Sequence, residues 1–220
     1  MVKTMKHKRS SQLTVALAAS SLVLLAACAG PQDAQQVEEI GETLDEPASA
    51  EQSLQLPDHS VLQSAGSQYL LPFKKALKQT LTTAIAEGGP VNAVSACNLE
   101  AAAIAQAVSV DGVEVGRSSH KLRNPMNAPQ PWMAGMLEAW AAGNKDVTFG
   151  LADLDNNRVG YAEPIYAGAQ CLVCHGQPEQ IPEAVQQKLA SLYPDDQATG
   201  FSAGDFRGIF WVMFERPVAE

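Results

Sequence analysis

Hydrophobic and polar positions follow two different periods along this chain, and the change of period divides it into elements. Over residues 61–87 the apolar side chains Leu70, Phe73, Leu77, Leu81, Ala84 and Ile85 recur at intervals of three and four, the spacing of one face of an α-helix. Pro72 either kinks this helix or opens its second part, and Gly88-Gly89-Pro90 ends it. A second helical stretch over 91–109 gathers Val94, Cys97, Ala101, Ile104, Ala105 and Val108 within an arc of roughly 100°. Cys97 thus falls on the stripe predicted to face the core, where a free cysteine packs as a small hydrophobe. Residues 113–119 then alternate as a short strand. Residues 121–132 form an irregular loop with three prolines, suited to gripping a ligand. A third helix follows over 132–142, and strands over 147–154 and 158–167 flank the hairpin turn Asp155-Asn156-Asn157. Residues 182–193 read as a helix with Pro182 in its first turn and Val185, Leu189 and Leu192 inward. Residues 207–215 are apolar on both faces, as a central strand would be. Helices first, then hairpin-linked strands, predict an α+β domain with an antiparallel sheet.

Before residue 61 the pattern is of another kind. Lys3, Lys6, Lys8 and Arg9 precede an apolar stretch from Leu13 to Ala27 broken only by Ser and Thr. Residues 1–27 therefore read as a secretory signal, short for a membrane span and ending in small residues. Leu25-Ala26-Ala27-Cys28 resembles a bacterial lipobox, in which Cys28 would become the diacylated first residue of the mature protein. The alternative is ordinary cleavage after Ala27 or Ala29, with Cys28 incidental. Two or more acyl chains anchor stably, so the expectation is an exported, lipid-anchored protein facing the periplasm. Ala29, in place of Asp, favours the outer membrane over the inner by resemblance to bacterial sorting rules. Residues 28–60 are rich in Gln, Glu, Asp, Pro, Ser and Ala and cannot bury enough apolar surface to offset chain entropy. They read as a lipidated flexible tether ending near a solvated His59, which leaves 61–220 as the folded domain.

Charge excludes one class of partner. The first 27 residues hold four of the 15 Lys and Arg and none of the 24 Asp and Glu, so losing them takes the net charge from −9 to −13. Nucleic acid is not a partner for such a surface. With 46% hydrophobic residues and no internal repeat, one core is expected.

The chemistry concentrates in Cys171-Leu172-Val173-Cys174-His175. Two thiols three positions apart can add to the two vinyl groups of a haem, and the adjacent His175 can then ligate its iron. A redox disulfide, half of a zinc site and chance are the alternatives. Zinc wants four ligands, and no second Cys-x-x-Cys or close His pair completes the set. A dithiol oxidoreductase would want a strand-to-helix setting, whereas Pro164, Tyr166 and Gly168 precede this run and Gly176 and Pro178 follow it. The expected cofactor is one covalent haem c. With Cys28 assigned to lipid and Cys171 and Cys174 to haem, Cys97 is left as a lone thiol in an oxidising compartment.

Several short motifs together resemble one bacterial family. They are Cys97 on a helix, Arg117-Ser118-Ser119, Leu122-Arg123-Asn124-Pro125 with Asn127 and Pro129, Pro164-Ile165, Cys171 to Gly176, Tyr193 to Gly200, and Gly204-Asp205 with Arg207-Gly208. The family is the haem-c-binding domain of unknown function with a PAS-like fold, met as small exported cytochromes and as sensory ectodomains of histidine kinases. The resemblance covers roughly residues 61–216; Met133 follows Trp132 where the family pattern has an acidic residue. It implies a PAS-like antiparallel sheet with N-terminal helices, the haem between sheet and helices, His175 as proximal ligand and Cys97 as distal candidate. His120, Met126, Met133 and Met136 compete for the distal position, with Met126, in the proline loop, second to Cys97. Arg117 and Arg123 are candidate partners for haem propionates, since guanidinium forks match carboxylates. Tyr161 and Tyr166 either edge the pocket or pack the sheet.

A thiolate opposite histidine stabilises the ferric state and lowers the reduction potential. The expected function is therefore a membrane-anchored single-haem cytochrome in electron transfer or redox, working with a redox partner protein or small redox molecule. A redox or gas sensor for CO or NO, signalling to a separate partner, is the alternative. No kinase, cyclase or transmembrane output segment is seen after the domain, which favours the carrier. An enzyme is not expected, because catalysis wants an open iron site and a distal acid–base group.

Overall fold

A computed structural model describes residues 58–217, which fall within one unit, Glu51–Glu220. The expected signal segment 1–27, Cys28 with its lipidation, and all of the expected tether 28–60 except its last three residues lie outside the described residues. Asp58 caps α1 (His59–Val108) by accepting from the Ser60 amide, so His59 opens a helix instead of ending a linker. Pro72 lies inside α1 without restarting it; the non-helical residues inside it are Gly88 and Gly89, the latter at φ +71°. Pro72 and Gln68, whose carbonyl loses its usual partner there, are both exposed, so water can serve that carbonyl. The Asn92 amide donates to the Ala84 carbonyl at 3.0 Å and stitches the two halves of α1 across the glycine break.

Four strands form one antiparallel sheet in the order β1-β4-β3-β2: β1 (Glu114–Ser118), β2 (Gly150–Leu154), β3 (Arg158–Tyr166) and β4 (Phe206–Glu215). β4 is interior, which is why both of its faces are apolar. Phe210, Val212 and Phe214 point to α1, where Leu62, Leu70, Phe73 and Tyr161 complete a core. Ile209 and Trp211 point the other way, to α2 (Ala134–Ala141), and pack with Met133, Leu137 and Trp140. The hairpin between β2 and β3 closes through Asn156 and Asn157, both left-handed at φ +61° and +58°, a conformation Asn tolerates better than other side chains.

The predicted stripe of the first helical half is only partly inward. Its contacts with the sheet core run from Leu62 to Leu77, whereas Leu81 is 37% and Ile85 40% exposed. The core contacts of α1 resume with Ile104, Ala105 and Val108 after the glycine break. Helical period alone could not show where the sheet stops backing the helix.

At Gly66, α1 lies directly against the Tyr161 ring of the sheet. A Cβ at this position would stand 2.3 Å from the Tyr161 ring. Gly66→Ala is expected to cost about 1–3 kcal/mol by overpacking, outweighing the gain in helix propensity. The check is a lower denaturant midpoint at an unchanged slope.

Candidate functional site

The Cys-x-x-Cys-His run occupies a single helical turn. A 3-10 turn over Ala169–Cys171 passes into α3 (Leu172–His175), and Gly176 stops it, its amide donating to the Leu172 carbonyl at 2.8 Å. A Cβ at position 176 would lie 2.6 Å from that same oxygen, so glycine is required for the tight exit. Helical spacing puts Cys171 and Cys174 on one side of the turn, with His175 next along. Cys171 packs beside Ala167, Ala198 and Phe201, and Cys174 beside the cluster of Val94, Val185, Leu189 and Tyr193. Cys97, Cys171 and Cys174 are all free thiols.

The segment between α4 (Glu183–Leu192) and β4 wraps this turn. Asp196 accepts from the Ala198 amide at 2.8 Å and thereby orients the Ala198 carbonyl, to which His175 Nδ1–H donates at 2.7 Å. The Phe201 amide donates to the His175 carbonyl at 3.0 Å and the Gly200 amide to the Gly176 carbonyl at 2.8 Å. Arg123, from the proline-rich loop, spans both segments. Its Nε donates to Asp196 Oδ2 at 3.0 Å, and its Nη2 donates to the carbonyls of Cys174 and Ala198. In this structure Arg123 is a clamp on the motif, a task its sequence position did not announce.

A carbonyl at 2.7 Å requires the proton on Nδ1, which leaves the His175 Nε2 lone pair for a ligand. Burial, then the charges of Arg123 and Arg207, push His175 down to about 3, so its imidazole is neutral at physiological pH. A neutral imidazole with its second nitrogen held by a carbonyl is the form in which histidine binds metals.

Cys97 reaches the site from α1, which packs against α3 and α4. It is half-buried and within electrostatic reach of Cys174. Burial pushes the Cys97 thiol up while Arg117 and Arg123 pull it down; burial likewise raises Cys174, against the pull of Arg123. Cys97, Arg117, Arg123, Cys171, Cys174 and His175 are therefore brought together from four separate stretches of chain. The methionine candidates lie elsewhere, whereas His120 stands beside the site. Met126, in the 3-10 turn Pro125–Asn127, is 87% exposed, and Met133 and Met136 belong to the α2 cluster. The His120 ring stacks on Phe206 at 5.3 Å and shares Phe201 with His175 as an edge-on neighbour. Tyr161 packs in the sheet core, and the buried Tyr166 hydroxyl has no hydrogen-bond partner.

Two further contributors, Asp196 and Arg207, lie within motifs that carry the family resemblance, but nothing local in the sequence announces their roles. Arg207, on β4, donates from Nη1 to Ser119 Oγ at 3.0 Å and to the Lys121 carbonyl at 3.4 Å, and its Nε lies 3.3 Å from His175 Nδ1. Burial, then repulsion from Arg123 and Arg117, pushes Arg207 down to about 10, so it stays charged at neutral pH. Its position emerges only when β4 pairs with β1.

No three His, Cys, Asp or Glu side chains converge to hold a bare metal ion among the described residues. The donor set, two free thiols one turn apart beside a neutral imidazole and several guanidinium groups, fits a group that takes thioether bonds, an axial nitrogen and anionic side-chain partners. No helix among the described residues is long and apolar enough to cross a membrane.

Fold and site together define an α+β domain that displays a Cys-x-x-Cys-His turn between helices and a four-stranded antiparallel sheet. The chain belongs to the Tll0287-like family, whose sequence model, described as Tll0287, matches residues 32–214. The crystal structure of the cyanobacterial heme-protein Tll0287 is similar to this chain at 22% identity, covering 74% of this chain and 100% of that one, with a TM-score of 0.48. No curated protein matches.

Proposed function

We propose that this chain is a single-haem c-type cytochrome, exported, lipid-anchored through Cys28 and facing the periplasm, that carries single electrons rather than catalysing a reaction. The observation that supports this most is His175, neutral and with Nδ1–H held by the Ala198 carbonyl, directly after two free thiols one helical turn apart. Membership of a family whose namesake is described as a heme-protein supports the same reading. The sheet with helices on both faces is read as PAS-like.

Cys171 and Cys174 would hold the haem covalently, and His175 Nε2 would take one axial position. The haem supplies one-electron chemistry when bound. The chain's own residues set its surroundings. Arg123 and Asp196 hold the Ala198 carbonyl that fixes the His175 tautomer, and Arg117 with Arg123 offsets part of the burial that opposes a thiolate at Cys97, the residue that would serve as the second donor. A redox partner protein or a small redox molecule would exchange electrons with it.

Recording absorption spectra of Cys97→Ala and His175→Ala tests the ligand assignment. Cys97→Ala is expected to convert a six-coordinate low-spin spectrum to one with an open or water-filled site and to raise the potential. An unchanged spectrum would remove Cys97 from the iron and reopen the choice of Met126. A second reading, sensing of redox state or of CO or NO, draws on the Gly88-Gly89 break, which separates the Cys97-bearing half of α1 from the half before it, both of which contact the sheet core. Rapid CO binding on stopped-flow mixing with the reduced protein favours the sensor; no binding with fast electron exchange favours the carrier.

A further inference from the structure

We propose that Arg207 is a potential-setting residue: its guanidinium, fixed behind His175, places a positive charge on the proximal side that opposes the negative charge of a Cys97 thiolate. The inference rests on the cytochrome reading and goes beyond it by assigning a role to a residue that touches neither the thiols nor the iron position.

Three arginines surround His175, and their situations differ. Arg123 is neutralised by Asp196 at 3.0 Å. Arg117 makes no ion pair or side-chain hydrogen bond among the described residues, so nothing fixes where its charge sits. Arg207 also has no carboxylate partner among the described residues, yet it is held. Ser119 Oγ accepts from its Nη1 at 3.0 Å while donating to the Arg207 carbonyl at 2.7 Å, and the Lys121 carbonyl accepts a second contact. Ser119 is itself 5% exposed, and the Phe201 ring lies 5.4 Å from the guanidinium carbon. This is a cation of defined position with no ion pair among the described residues, acted on only at longer range by Asp196, in a partly buried setting where Coulomb interactions are weakly screened.

Its Nε lies 3.3 Å from His175 Nδ1. Because Nδ1 spends its proton on the Ala198 carbonyl, Arg207 Nε–H cannot donate to it, and the contact is one of charge against a polarised N–H. Two consequences share one sign. The cation disfavours positive charge gained on the imidazole and the iron it would bind, which penalises the oxidised state. It also competes with the pull of the Ala198 carbonyl on the Nδ1 proton, which limits the imidazolate character that would stabilise the oxidised state. Removing the cation should therefore lower the potential on both counts.

The test uses the full chain matured with haem: wild type, Arg207→Gln and Arg207→Lys, with Arg158→Gln on the distant hairpin as a charge control. Haem content is measured by pyridine haemochrome and the midpoint by spectroelectrochemical titration in the same samples. Arg207→Gln is expected to shift the oxidised-to-reduced ratio at fixed electrode potential about tenfold toward oxidised, a midpoint drop of ~59 mV for one electron. Arg207→Lys should recover more than half of that shift, and Arg158→Gln should match wild type. Full haem content with an unchanged midpoint in Arg207→Gln overturns the proposal, as does a drop of equal size in Arg158→Gln. If Arg207→Gln fails to hold haem, Ser119→Ala, which releases the guanidinium from its anchor, must show a smaller drop of the same sign; no drop overturns the proposal. Wild type without haem overturns the cytochrome reading and this inference with it, a result distinct from the others.

Discussion

Replacing Cys171 and Cys174 together by serine is expected to abolish covalent haem retention. A thioether needs the thiol, and serine at the same backbone position keeps the helical turn but offers an oxygen that does not add to a vinyl group. The turn should survive the change, because its closure comes from Gly176 and from backbone donors at Gly200 and Phe201 rather than from the sulfurs. Both positions are only partly buried, so the stability cost is expected to stay near ~1 kcal/mol. The measurement is haem staining after denaturing electrophoresis, with acid–acetone extraction of a parallel sample. Wild type should stain and resist extraction; the double variant should not stain, and any haem held through His175 should extract. Haem that survives denaturation in the double variant would refute thioether attachment at this motif. Single variants should each leave one bond and stain weakly.

The second large effect falls on the clamp. Arg123 and Asp196 are a pair at 14% and 10% side-chain exposure, and both also serve backbone groups of the wrapped segment. Arg123→Ala leaves the Asp196 carboxylate without its cation and strips the Cys174 and Ala198 carbonyls of a donor. Breaking such a pair from one side costs about 3–5 kcal/mol, a large part of the stability of a domain this size. The loss should appear as a lower denaturant midpoint and as a lower yield of attached haem, because the Ala198 carbonyl that orients His175 is no longer held. Asp196→Asn should act in the same direction and less strongly, since the amide can still accept from the Ala198 N–H. A double-mutant cycle should return a coupling energy well above zero. If Arg123→Ala costs less than ~1 kcal/mol and leaves haem yield intact, the clamp does not organise the site.

Much of the scaffold was legible because it depends on local order. The break at Gly88-Gly89, the Asn156-Asn157 hairpin, the interior strand β4 and the helix over Glu183–Leu192 all follow from period, turn chemistry and two-faced apolarity. Where the pattern misled, a neighbour was the reason: Leu81 and Ile85 keep helical spacing but the sheet core no longer backs them. Met126, a candidate ligand for its place in a proline loop, stands on a short 3-10 turn at 87% exposure, a placement no local period records.

The sequence by itself determined the α+β class, the helical turn that carries Cys171, Cys174 and His175, and the helix that carries Cys97, because each is encoded in residues a few positions apart. Only the tertiary structure decided which groups meet at that turn. Arg123 is 73 residues from Asp196, and Arg207 is 88 from Ser119 and 32 from His175. Such contacts exist only after β4 has paired with β1 and the segment after α4 has folded over the motif. No local period records that pairing, so the charge environment of His175 is a property of the folded chain.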